Sequence, residues 1–189
     1  RISIDVYHAL CDGYGASVFL STLVGEYLRL RGEKIDYNQF VLDVSEAPKA
    51  SELEDSYSRY ADSKVPYDRK DKWVYHAKGT RMPMHTANYT AGIMSFKELH
   101  AVSKSYGATV TEFLAALLMD ALYKKQLSEN KKQREICVQI PVNLRKAFPS
   151  ETLRNFVLCL RVKMNPNLGE YTFEEIVRSV SLQLKLAND

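Results

Sequence analysis

DVYHALCDGYGASVF, residues 5–19, brings a histidine, an aspartate and two glycines around a tyrosine into one short turn. The residues leading into it, RISIDVYH (1–8), alternate branched or apolar side chains with polar ones, the period-two pattern of a strand. Those that follow, ASVFLSTLVGEYLRL (16–30), carry apolar residues at helical spacing. His8 and Asp12 are therefore expected on a strand-to-helix connection. Loops anchored by rigid elements are where reacting side chains are most often held.

Working outward, the bulk properties narrow the field. A chain of 189 residues is expected to form one domain or two small lobes. Its 46% hydrophobic and 26% charged residues are ordinary for a soluble globular protein. A net charge of +3, with basic residues interspersed among acidic ones as in DRKDKW and SENKKQRE, argues against nucleic acid. No apolar run is long enough to span a bilayer, and no signal peptide is visible. Cys11, Cys137 and Cys159 stand singly and far apart, which excludes a CxxC zinc site and favours a reducing, cytoplasmic setting. Arg1 already lies inside the strand pattern with no initiator methionine, so the chain reads as a piece of something longer.

The pattern predicts a strand over 1–8 and a helix over about 14–31 stopped by Gly32. Residues 36–84 are polar and less periodic, with Pro48, Pro66 and Pro83. They read mainly as connecting chain, with a short helix around SELEDSYSRYAD. From about residue 87 the periodicity sharpens. ANYTAGIMS predicts a strand, and SFKELHAVSKSYG a helix begun by Ser95 with Glu98 and ended by Gly107. TVTEFLAALLMDALYKKQL repeats the device with Thr109 and Glu112. EICVQIPVNL and NFVLCLRVKM are strand candidates, and YTFEEIVRSVSLQLK is a last helix capped by Thr172 with Glu175. The fold class is mixed α/β, with no internal repeat and no low-complexity tract.

A histidine ending a strand can present its imidazole to a cleft, and a neutral imidazole is a competent general base for an alcohol, thiol or amine. Asp12 could orient that ring, or pair with a cation and hold the turn rigid. Gly13 and Gly15 let the backbone turn tightly and approach a ligand. The plainer alternative makes His8 a hydrogen-bonded structural histidine and Asp12 a helix cap, and isolated HxxxD strings carry false positives. A metal site would have only His8 and Asp12, because His76, His85 and His100 show no ligand spacing. A Cys11 nucleophile is conceivable beside His8, but buried, inert cysteine is commoner.

YHALCDGYG, after a strand and opening a helix, resembles the HHxxxDG signature of the condensation-domain superfamily. That superfamily includes chloramphenicol acetyltransferase-like enzymes, nonribosomal peptide condensation domains, wax ester synthases and alcohol acetyltransferases. His8 matches the second histidine, Asp12 the aspartate and Gly13 the glycine, while Tyr7 replaces the first histidine. IPVNLRKAFPSETLRNFVLCLRV resembles the family's paired-strand segment, with Asn155 at its asparagine and Arg154 where a glycine usually stands. GATVTEFLAALL is similar to a helix between the two motifs. The flavour is that of bacterial alcohol acetyltransferase-like or stand-alone condensation-domain proteins.

The resemblance implies a two-lobed α/β sandwich with the HxxxD loop at the lobe interface. On that basis residues 1–35 would end the first lobe, 36–86 would link the lobes, and 87–189 would form an incomplete second lobe. It implies an acyltransferase that moves an acyl group from a thioester of coenzyme A, or of carrier-bound phosphopantetheine, to an alcohol or amine. His8 would be the general base and Asp12 a brace in an ion pair. Gly13 and Asn155 would contact substrate, Asn155 by lining the oxyanion site. Arg145 is one candidate partner for Asp12, although it reads more readily as a solvated strand-end cation. Coenzyme A would be a substrate, with no tightly bound cofactor or metal. A carrier protein is a potential partner. The 189-residue piece alone is expected to be inactive and to self-associate through the apolar face of its first helix. The alternative is a non-catalytic, condensation-like domain serving in binding or recruitment.

Overall fold

The computed structural model describes residues 2–61, 73–129 and 132–186. Among them the chain is a mixture of helices and a small antiparallel two-stranded sheet. It divides into two compact units, one drawn from Arg1–Tyr67 and Pro141–Leu158, the other from Asp68–Ile140 and Cys159–Asp189. No described helix is long and apolar enough to cross a membrane.

The first unit is built on α1, Gly13–Leu30. The helix stops where expected, with Gly32 at φ +91° just past its end and Glu33 N–H closing onto Leu28 O at 3.0 Å. Its inner face is lined by small residues. A Cβ on Gly25 would meet the Val41 side chain at 2.8 Å, and Thr22 Oγ1 accepts Leu42 N–H at 3.0 Å. Arg29 crosses the Tyr37 ring at 3.7 Å and donates to Ile35 O, folding residues 35–42 against the helix.

Two short helices follow, α2 (Ala50–Leu53) and α3 (Ser56–Tyr60). They hold the segment that joins β1 (Ile136–Asn143) to β2 (Val157–Met164). Glu52 O accepts Leu153 N–H at 2.8 Å, Glu54 O accepts Thr152 Oγ1 at 2.6 Å, and Tyr60 Oη donates to Pro149 O at 2.7 Å. Phe156 packs between the rings of Tyr57 and Tyr60, at 5.4 and 6.0 Å between centroids.

The second unit surrounds α4 (Phe96–Ser105), α5 (Val110–Ser128) and α6 (Phe173–Leu186). Thr109 and Glu112 form the expected reciprocal cap, and Thr172 with Glu175 does the same for α6. Gly107, at φ +69°, ends α4. The core joins α5 and α6 to the strands through Met119, Phe113, Ile136, Val162, Ile176 and Val180. Tyr106, Phe113 and Phe173 close one end with mutual ring contacts of 5.2–5.6 Å.

Two predicted strands do not form. Residues 2–7 and 87–95 carry strand-like side chains but take no regular structure, and no described residue pairs with them. Ile93 is fully exposed. Strand propensity expresses fit to a half-buried pleated surface, so without a neighbouring strand the alternation has nothing to hold it.

Candidate active site

His8 lies at the start of a tight turn closed by Leu10 N–H onto Tyr7 O at 2.9 Å. It is exposed, and no described side chain hydrogen-bonds its ring. Four residues on, Asp12 is buried at the N-terminus of α1. Its Oδ1 accepts Tyr14 N–H at 3.0 Å and Gly15 N–H at 3.1 Å, which caps the helix. Its Oδ2 accepts Arg145 Nη1 at 2.7 Å and Phe156 N–H at 2.9 Å.

With both oxygens engaged twice, Asp12 has no reach left for the imidazole. It braces the loop, and orientation of the ring by this carboxylate is not what the geometry offers. Burial alone would push the Asp12 carboxyl up. The hydrogen bonds from Arg145, Phe156 and Gly15, with the Arg145 charge, outweigh it and hold the group below its ordinary value.

Arg145 corrects the solvated reading. Its side chain is only 7% exposed, against 1% for Asp12. The guanidinium spends its remaining donors on Thr152 O (3.0 and 2.8 Å) and Arg154 O (2.7 Å), and lies 4.6 Å from the Tyr14 ring centroid. Such a fork, planar and multiply bonded, does what a lysine at this position could not.

Gly13 opens α1 with nothing within 4 Å of where a Cβ would stand. Gly15 is different, because a Cβ there would lie 2.1 Å from Leu153 O. The close approach predicted for these glycines is thus made by Gly15, to the chain's own backbone. Arg154 does not take a positive φ, so the site has no conformational need for the glycine it replaces. Asn155 donates from Nδ2 to the His8 carbonyl at 2.7 Å. Cys11 is pushed up by burial and by the Asp12 charge, which disfavours the thiolate a nucleophile needs.

His8, Asp12, Gly13 and Asn155 are brought together, all within the first unit. The residues sequence reasoning passed over are Thr152, Tyr14 and Phe156. Phe156 contributes a backbone N–H, which no side-chain pattern announces. Among the described residues no group of three or more His, Cys, Asp or Glu is placed to hold a metal ion.

The sequence profile of the alcohol acetyltransferase family matches residues 62–165. The chain belongs to the alcohol acetyltransferase family. The matched span contains Arg145 and Asn155 and begins after His8 and Asp12. No curated protein matches the chain. Membership supports an acyltransferase activity in general terms. Within this alcohol acetyltransferase family member, the brace just described joins the matched residues Arg145 and Phe156 to Asp12, upstream of the match.

Proposed function

We propose that this chain supplies the general base of an acyltransferase that moves an acyl group from a thioester, of coenzyme A or of carrier-bound phosphopantetheine, to an alcohol or amine. The observation that carries the reading is the exposed His8 imidazole on a loop whose other end is locked by Asp12. A base must meet its substrate and must not wander, and this loop meets both conditions.

In the reaction, the His8 ring accepts the acceptor's proton as its oxygen or nitrogen attacks the thioester carbonyl. The new C–O or C–N bond gives a tetrahedral oxyanion. Its collapse breaks the C–S bond, and the departing thiolate takes the proton back from the imidazolium. Water-excluding walls on both sides of the loop, as in a two-lobed sandwich, would let fixed donors act most strongly on that oxyanion.

The test is His8→Ala in the full-length protein, assayed with an acyl-CoA and short alcohols. Loss of a positioned base typically costs about 10² to 10⁴ in rate. Transfer should fall by that factor with the melting temperature unchanged. Near-normal turnover in the folded variant removes His8 from the chemistry.

A further inference from the structure

We infer that Asn155 is a positioning residue, which fixes the base by holding the main chain of His8, and is not an oxyanion donor. The inference rests on the reading of His8 as the base. A carbonyl oxygen only accepts hydrogen bonds, so the amide end facing His8 O at 2.7 Å must be Nδ2, and this settles the orientation of the side chain. The Asn155 Oδ1 is buried and takes no hydrogen bond from any described residue. An acceptor oxygen would repel a developing oxyanion, so with one Nδ2 N–H committed to His8 O only the second N–H of the same tethered nitrogen could serve that task.

The neighbours of Asn155 give the contact its meaning. Phe156 N–H donates to Asp12 Oδ2 at 2.9 Å, and Arg154 O accepts Arg145 Nη2 at 2.7 Å. Three consecutive residues thus secure one loop. Residue 156 grips its Asp12 end, residue 155 grips its His8 end, and residue 154 ties the same strap to the arginine that neutralises Asp12. Between the grips stand only Ala9, Leu10 and Cys11, so with both ends held the His8 backbone has little freedom. With Asn155 removed, the Asp12 end stays fixed and the His8 end is left with the Leu10–Tyr7 turn bond. A base displaced by about 1 Å can lose about 10²-fold in rate.

The test uses Asn155→Ala and the near-isosteric Asn155→Asp, whose carboxylate cannot donate to the His8 carbonyl. In the full-length protein both should lower kcat by about 10²-fold and leave KM for thioester and alcohol within about twofold. Asn155→Gln, which keeps the donor, should recover part of the loss. In parallel, the ring resonances of His8, assigned by His8→Gln, should shift in both Asn155 variants while those of His76, His85 and His100 stay in place. If KM rises and kcat holds, Asn155 binds substrate and the inference fails. It fails equally if the His8 resonances are unchanged, since a fall in kcat without a shift in them would mark Asn155 as an oxyanion donor. If His8→Ala keeps its activity, the base reading falls instead, and the resonances alone still report whether Asn155 pins the loop. Should the alanine variant not fold, the aspartate variant decides.

Discussion

Met119 and Asp12 are both buried, one in each unit. Around Met119 the contacts are apolar, drawn from α5, α6 and the two strands. Around Asp12 they are an arginine, three backbone N–H groups and two main-chain carbonyls that hold the arginine in turn. The first arrangement is tolerant, since an apolar core accepts swaps of similar volume. The second is not, since a buried charge depends on every partner it has. The helical unit is built as a scaffold, and the His8 unit as a fixture for one loop.

The largest effect should come from breaking that fixture. Arg145→Met leaves Asp12 buried without its counter-charge, and losses of this kind run to about 3–5 kcal/mol. Met119→Leu, equally buried in the other unit, should cost less than about 1.5 kcal/mol. Denaturant unfolding of both variants measures the contrast. Adding Asp12→Asn to Arg145→Met should recover part of the loss, because it removes the stranded charge. An Arg145→Met variant as stable as Met119→Leu would erase the distinction between the units.

That distinction also explains what could be read from the chain. The helices of the second unit announce themselves through Thr109 with Glu112, Thr172 with Glu175, and the stop at Gly107, because capping and periodicity are local. The fixture is not local. Asp12 and Arg145 are 133 positions apart, and Asp12 and Phe156 are 144 apart. Nothing in the spacing of polar residues says which will meet, so Arg145 reads as a solvated cation until the fold closes over it. The HxxxD string was legible as a loop opening a helix, while the part of Asn155 in holding His8 was not. Residues 2–7 and 87–95 mislead in the other direction, since their alternation is genuine but no described strand receives it.

A smaller effect separates two glycines that the sequence treats alike. Gly15→Ala would drive a methyl to 2.1 Å from Leu153 O, and neither α1 nor the strap can retreat without loosening the Asp12 contacts. Overpacking of this kind costs about 1–3 kcal/mol. Gly13→Ala meets nothing within 4 Å, at a helical position without positive φ. It should be neutral or stabilise by up to about 1 kcal/mol. Melting temperatures of the two variants check the pair. If Gly15→Ala is harmless, the strap does not depend on the close approach of α1.

The finest test uses protons, and its sign follows from the carboxylates. Asp12 titrates below its ordinary value in the folded chain, so the stability it contributes is complete above the unfolded carboxyl pKa of about 3.9. It is lost as pH falls through the lowered folded value. Glu112, in the other unit, is also buried and also held low, where burial is outweighed by hydrogen bonding from Thr109 and Ser181 and by the Lys185 charge. The sign is therefore the same in both units, and the consequence differs. Protonating Glu112 weakens chiefly a cap between residues three apart, with a lesser effect on its neighbours Ser181 and Lys185 of α6. Protonating Asp12 releases Phe156 and Arg145, the contacts that hold the strap to the loop. In acid-side hydrogen exchange the Phe156 amide should lose protection together with the neighbouring strap, whereas loss at Thr109 should stop within the first turn of α5. Asp12→Asn should be less stable than the unmodified chain at neutral pH, with the gap closing below about pH 4. A Phe156 amide that stays protected after Asp12 has taken up its proton would mean that the strap is held by α2 and α3, and that the charge pair only decorates it.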